Sequence, residues 1–315
     1  MSTQPFEFLT VTYSGDIEHF ALLRCSLQQS NLSHIRHHVV VQDEDLPKFQ
    51  QFSGDVALYS SADILPKQVE SMRRIALQRR AQVGRRATKL LGSLSREIGW
   101  PRWVRYTGWH TQQIIKLAFT AACETRNVVV LDSDVLLTPF AREQDFVSNH
   151  GVVCYQDWRD TKELRGKVKR WRETAFRLFD QPLERQEQYD AYYDTPFVLH
   201  SPSVKDLCDW LQEKYQSPWW AVLMNLPPRR WSEFGIYKQF LRQFGVYPMQ
   251  WRSPEHFVCI YDAADARVVV DKFDYFLNQK NAHSITIHSQ NSGRGRASRY
   301  QKAVREQFFR DGRCL

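Results

Sequence analysis

The sequence predicts an α/β protein with a mostly parallel central sheet flanked by helices. Three observations carry that expectation. "FEFLTVTYSGD", "HHVVVQDED" and "NVVVLDSDVLL" are short β-branched apolar blocks that end in polar or acidic residues. Such short runs bounded by turn and acidic residues read as strands, and Val128 to Leu131 reads as a buried one. Between them lie segments of helical period, which is the alternation that builds parallel sheets.

Element by element, a strand from Phe6 to about Tyr13 leads through a turn at Gly15 into a helix over "IEHFALLRCSLQQS", then a strand at Val39 to Val41. "DVALYSSADILP" adds another short strand. Residues at about 66–106 then form a basic helical insertion. Its arginine pairs, Arg73 with Arg74, Arg79 with Arg80 and Arg85 with Arg86, alternate with Ile75, Leu77, Val83, Leu90 and Leu91. That gives an imperfectly amphipathic helix, read either as a solvated insertion or as a surface for an anionic acceptor or lipid headgroups. "TGWHTQQIIKLAFTAACE" is a helix with an apolar side, and it delivers the chain into the strand Val128 to Leu131. Beyond it, "HGVVCYQDW" and "PFVLHS" read as strands, "SPSVKDLCDWLQEKY" as a helix started by Ser203, and a further helix runs from near Ser232 to before Gly245. The polar segment between Arg159 and Thr195 has no clear period. Without repeats or low-complexity linkers, residues 1–315 are expected to form a single domain.

The strand Val128 to Leu131 ends in Asp132-Ser133-Asp134. Two carboxylates at the end of a buried strand are costly unless a cation compensates them. Side chains two apart in extended chain share a face, so both can approach one divalent ion, or else cap a turn. Hard oxygen ligands suit magnesium or manganese, and ligands in open α/β sheets gather beyond the carboxyl ends of strands.

The passage from helix "GWHTQQIIKLAF" into "RNVVVLDSDVLLTPF" resembles the core of GT-A-fold glycosyltransferases, in particular those that build bacterial lipopolysaccharide and other surface glycans. The resemblance implies a Rossmann-type nucleotide-binding half, a nucleoside-diphosphate sugar donor, with uridine the expected base, and Mn2+ or Mg2+ between the D-x-D acids and the diphosphate. It places Thr10, Thr12 and Tyr13 around base and ribose, and Gln112, Gln113 and Lys116 toward nucleotide or diphosphate. Asp132 meets ribose or metal-bound water, and Asp134 is a direct metal ligand. It further implies His288, at the end of the strand in "SITIHSQ", as a third ligand, with His283 its competitor. The glycine and lysine that follow that histidine in the best-known retaining enzymes are absent, leaving Arg294 or Arg296 to reach the diphosphate. If configuration inverts, Glu233, in the first turn of its helix, is the expected base, with Asp194 of "YYDTPF" behind it; if it is retained, either carboxylate contacts the sugar instead. Tyr192, Tyr193, Trp219, Trp220 and Trp231 offer flat faces for a glycan or glycolipid acceptor.

Composition narrows the alternatives. The chain carries 43 Lys and Arg against 35 Asp and Glu, a formal charge of +8, which favours an anionic partner without choosing one. No nucleic-acid-binding motif accompanies the charge, so no nucleic acid is expected. A non-enzymatic binder of anionic surfaces or nucleic acid, acting through Arg73 to Arg105, and a metal-dependent nucleotidyltransferase or phosphohydrolase are the competing classes. The second would call for a glycine-rich phosphate loop, and "TYSGD" is too poor in glycine. Six scattered cysteines with no C-x-x-C indicate neither a disulfide framework nor a zinc site. With no signal-like start and no long apolar run, the expected location is cytoplasmic, with peripheral contact to the inner membrane allowed.

Overall fold

A computed structural model describes residues 5–106, 108–183, 186–261, 265–288 and 297–308. In chain order come β1 (Glu7–Thr12), α1 (Ile17–Gln29), β2 (His37–Val41), the single turn α2 (Leu46–Phe49), β3 (Ala57–Ser60), the single turn α3 (Ser61–Ile64), α4 (Lys67–Ile98) and α5 (Trp109–Ala122). There follow β4 (Asn127–Val130), β5 (Val135–Leu137), β6 (Val152–Tyr155), β7 (Trp158–Asp160), α6 (Gly166–Leu178), β8 (Gln188–Asp190) and β9 (Phe197–His200). The chain continues through α7 (Ser201–Tyr215), α8 (Trp219–Asn225), α9 (Glu233–Phe244), β10 (Met249–Arg252), β11 (Phe257–Ile260), α10 (Ala266–Asn278), β12 (Ser284–Ile287) and α11 (Ala297–Phe308).

The expected α/β architecture is present. The main sheet has the order β3-β2-β1-β4-β9, parallel except for its last pair, where Val129 of β4 lies opposite Val198 of antiparallel β9. Every residue of β1, β2 and β9 is buried, including polar Glu7, Thr10, Thr12, His37 and His38. The order reverses between β1 and β4: the chain steps outward from β1 through β2 to β3, then returns to the other flank of β1. Such a reversal opens a crevice beyond the carboxyl ends of the two strands. Asp132 follows β4 at that crevice.

Beyond the acids the chain leaves the main sheet. β5 pairs antiparallel with β12, and β12 pairs in parallel with β11, in a small sheet of order β11-β12-β5. The backbone N–H of Ile287 donates to the carbonyl of Asp134 at 2.9 Å. That pairing carries the end of β12, and with it His288, to the acidic turn.

Several local expectations are corrected. The basic insertion is helical, but Gly84 breaks α4 with φ 78° and ψ 168°, a conformation open to glycine alone at little cost. Its arginines do not form one surface. Arg73 is buried on Glu44 (2.9 Å) and Glu70 (2.7 Å), and Arg74 bonds Glu70 (2.8 Å), so the first pair ties the helix to the body. The helix α7 begins at Ser201, with the ring of His200 rather than Ser203 at its cap position. The unplaced polar segment forms β7, α6 and β8, organised by buried Asp190. That carboxylate accepts from Lys238 (2.5 Å), Arg242 (2.7 Å) and the N–H groups of Asp157 and Tyr192 (both 3.0 Å).

Candidate functional site

The turn after β4 is fixed from below. The Leu131 N–H donates to the Leu9 carbonyl (2.9 Å), the Asp132 N–H to Thr195 Oγ1 (3.2 Å), and the Ser133 hydroxyl to Thr12 Oγ1 (2.7 Å). The two carboxylates lie on a cleft whose walls come from β1, α5, α6, α9 and β12.

One wall is an ion-pair chain. Lys116, buried on α5, places Nζ 3.0 Å from Asp132 Oδ1 and 3.0 Å from Glu233 Oε1, and 4.9 Å from the Phe234 ring centre. One turn earlier on α5, Gln113 Oε1 accepts the Glu233 N–H at 2.7 Å. Residues i and i+3 share a helix face, so α5 grips the start of α9 with both side chains. Burial pulls the Lys116 ammonium toward neutrality, but Asp132 and Glu233 together outweigh it and hold its pKa above the ordinary lysine value. The ion pair therefore supplies part of the compensation that the acidic strand end requires.

The facing wall gathers Asp194, Cys259 and His288, whose donor atoms all lie within 4.8 Å of one another. His288 Nε2 stands 3.7 Å from Asp194 Oδ1, and its ring stacks on Tyr261 with centroids 4.7 Å apart. Among the described residues, nothing hydrogen-bonds to that buried Nε2. Burial, with Asp194 and Asp134 adding, pushes the Cys259 thiol up to about 12, so at neutral pH it carries its proton. The charge of Asp134 also bears on His19 and Tyr300, which bond each other at 2.7 Å behind it. Carboxylates on one wall and an unpartnered imidazole nitrogen on the other are a donor set suited to manganese or magnesium. Asp194, Cys259 and His288 are close enough together to share such an ion, and Asp132 and Asp134 line the same cleft.

Of the residues singled out from the sequence, Gln112, Gln113, Lys116, Asp132, Asp134, Asp194, Glu233 and His288 all line this cleft. The strand-end group does not. Thr10 is buried against His37 (2.9 Å), Thr12 lies beneath Ser133, and Tyr13 lines a neighbouring groove, while Val11 and Asp16 face the cleft. His283 is occupied elsewhere, bonded to Asp145 at 2.9 Å. Arg294 and Arg296 lie outside the described residues.

The aromatic expectation shifts as well. Trp231 is buried and stacks on His110, and Trp219 and Trp220 pack against the core. Tyr192 is buried too, and Tyr193 reaches the cleft. Trp109 and Trp171, stacked at 5.5 Å, add two further flat faces on the cleft. Sequence reasoning missed these two and Cys259. The β11–β12 register that sets Cys259 opposite Thr286 has no local signature.

Fold and site together define an α/β protein with an acidic, candidate metal-binding cleft at the switch point of a mostly parallel sheet. Residues 5–281 match the model of a family of unknown function, DUF6492, and the chain belongs to that family. No curated protein matches the chain. Solved structures similar to it include the galactosyltransferase LgtC in complex with donor and acceptor sugar analogs (10% identity, 95% of each chain covered, TM-score 0.43). Mouse xyloside xylosyltransferase 1 aligns at 10% identity over 89% of this chain and 96% of that one, with TM-score 0.42. The glycosyltransferase GlyE of Streptococcus pneumoniae aligns at 11% identity over 96% of this chain and 64% of that one, with TM-score 0.40.

Proposed function

We propose that the protein is a GT-A-type glycosyltransferase, acting as a single unit, that moves a sugar from a nucleoside-diphosphate donor, with uridine the expected base, to a glycan or glycolipid acceptor of a bacterial surface polysaccharide or lipopolysaccharide. The observation that carries this reading is the meeting of Asp132 and Asp134, at the carboxyl end of β4, with His288 and Asp194 in one cleft beside Lys116.

Asp134 and His288, with Asp132, are assigned to hold Mn2+ or Mg2+. Such an ion neutralises charge that develops on a departing diphosphate. The protein's own part is positioning. Lys116 orients Asp132 through their ion pair, and Gln112 on the cleft rim offers an amide to ribose or phosphate. Trp109 and Trp171 present apolar faces on which a sugar ring can pack. Glu233, expected as the base, has its carboxylate buried and engaged by Lys116 rather than open to an acceptor hydroxyl in the cleft; we assign it to positioning Lys116. Asp194, more open to the cleft, is the carboxylate left to take the acceptor hydroxyl's proton.

Isothermal titration with uridine, guanosine, cytidine and thymidine diphosphates, with manganese or with chelator, tests the reading. One nucleotide should bind at least about tenfold tighter with manganese, a difference of about 1.4 kcal/mol, and Asp134→Ala should remove the gain. A folded protein that binds none of them, or binds equally after chelation, refutes it.

A further inference from the structure

The second half of α4 carries a surface that the cleft does not explain. Leu90, Leu94 and Ile98 recur at i, i+4 and i+8 and so form one stripe. Leu90 is 73% exposed and Ile98 66%, and Trp100, just past the helix end, is 62% exposed. Single exposed apolar residues are ordinary, but an ordered stripe ending in a tryptophan is a contact surface. The stripe is held rigidly. Gly99 closes the helix with φ 73° and its N–H on the Ser95 carbonyl (3.0 Å), and Arg105 clamps the carbonyls of Gly99 (3.2 Å) and Asn225 (2.9 Å).

Charge identifies the occupant. Arg86, one turn before Leu90 on the same side of the helix, and Arg102, just past Trp100, are exposed, and neither has a carboxylate partner among the described residues. The one acid between residues 83 and 106, Glu97, is taken by Arg230 at 3.1 Å. This is the reverse of the first half of α4, where Arg73 and Arg74 are both paired. A second copy docked through this face would press two sets of uncompensated cations together, whereas a layer of anionic headgroups neutralises them while its acyl boundary takes up the leucines and tryptophan.

We propose that the second half of α4, with Trp100, is a peripheral docking face for an anionic lipid surface. Docking there does not depend on the transfer reading. If that reading holds, docking also serves acceptor delivery: on the other side of the helix Lys89 and Arg96 line a groove that includes Trp109, and Trp109 lines the cleft as well.

The test is cosedimentation of the full chain with vesicles of phosphatidylcholine alone or with about 30 mol % phosphatidylglycerol. Pelleting is expected only with the anionic vesicles and should fall as salt rises to about 0.5 M. Replacing Leu90, Ile98 and Trp100 by Asn, Asn and Ser should weaken it at least about tenfold. Arg86→Glu and Arg102→Glu should each weaken it about fivefold or more. Because these side chains are exposed, circular dichroism should show the variants folded. Asp134→Ala should bind vesicles normally, so failure of this proposal is distinguishable from failure of the transferase reading. No pelleting with anionic vesicles, equal pelleting of the apolar triple variant, or a dimer that the triple variant dissolves would each overturn it.

Discussion

Replacing Lys116 with methionine keeps most of its volume and removes its charge, and the structure indicates which of its two partners suffers. The Asp132 side chain is 47% exposed, so its half of the bridge is screened by solvent and contributes up to about 1 kcal/mol. The Glu233 side chain is 4% exposed; stripped of its cation it becomes an uncompensated buried charge, a situation that costs about 3–5 kcal/mol. The expected loss for Lys116→Met is therefore about 3–5 kcal/mol near pH 7, read from the urea midpoint and slope. The direction with pH follows from the raised lysine pKa. Stability from a group whose folded pKa is raised is fully present below its unfolded value of about 10.4 and fades only as pH climbs through the folded one. Across neutral pH the wild-type contribution should thus be constant. In Lys116→Met the bare Glu233 should instead take up a proton, so the variant recovers stability as pH falls. The decisive comparison is Lys116→Met with Glu233→Gln, which removes both charges and should regain most of the loss. A double variant no more stable than Lys116→Met alone would refute the argument, as would a single-variant cost below about 1 kcal/mol.

Two further substitutions test buried charge elsewhere. Burial works against the Asp190 carboxylate, but Lys238 and Arg242 outweigh it and hold it below the usual carboxylate range. Burial draws Lys238 the other way, below the ordinary lysine value; with two cations and two N–H groups on one carboxylate, the ionised pair is the state we assign. Asp190→Asn should cost about 3–5 kcal/mol at pH 7 and progressively less as acid titrates the wild-type carboxylate, measured by urea unfolding at several pH values. Equal cost at every pH would contradict it. His110, buried against Trp231, is pushed down to about 3, chiefly by burial. Its neutral form contributes stability that is present above the unfolded value near 6.5 and lost as pH falls, at about 1.4 kcal/mol per unit. His110→Phe should flatten the stability profile between pH 6.5 and 5 by about 2 kcal/mol. An unchanged slope would place the acid sensitivity in other groups.

How much was legible in the sequence depended on whether the cause was local. The strand Asn127–Val130 and the acids after it were readable because burial on both faces leaves an apolar run, and because carboxylates at its end demand compensation. His288 was reached only through the resemblance, with the short strand before it giving its place. The same double burial hid which face of β1 meets the cleft. When Thr10 and Val11 are both buried, alternation no longer marks an outward side, and the expectation settled on the threonines where the structure presents Val11. Trp171 was hidden differently, in a segment whose charges look solvated until Lys238 and Arg242, some fifty residues on, are placed against Asp190. Cys259 needed a parallel register across α10 that no stretch of sequence encodes.

The acidic pair itself shows what local reading leaves out. The sequence posed two ways to offset Asp132 and Asp134, a turn or a metal, and both treat the acids alike. The structure treats them differently. Asp132 has a lysine sixteen residues earlier on α5 as its cation, while Asp134 faces the β12 side, its carbonyl bonded to Ile287 next to His288. The two substitutions should therefore separate. Asp132→Asn removes only the exposed half of the Lys116 bridge and should leave folding within about 1 kcal/mol of wild type while disturbing the orientation of Lys116. Asp134→Ala should act on manganese affinity. If titration showed both variants losing manganese equally, with Lys116→Met leaving affinity intact, the lysine would be mere ballast for Glu233 and the division of labour between the two acids would be wrong.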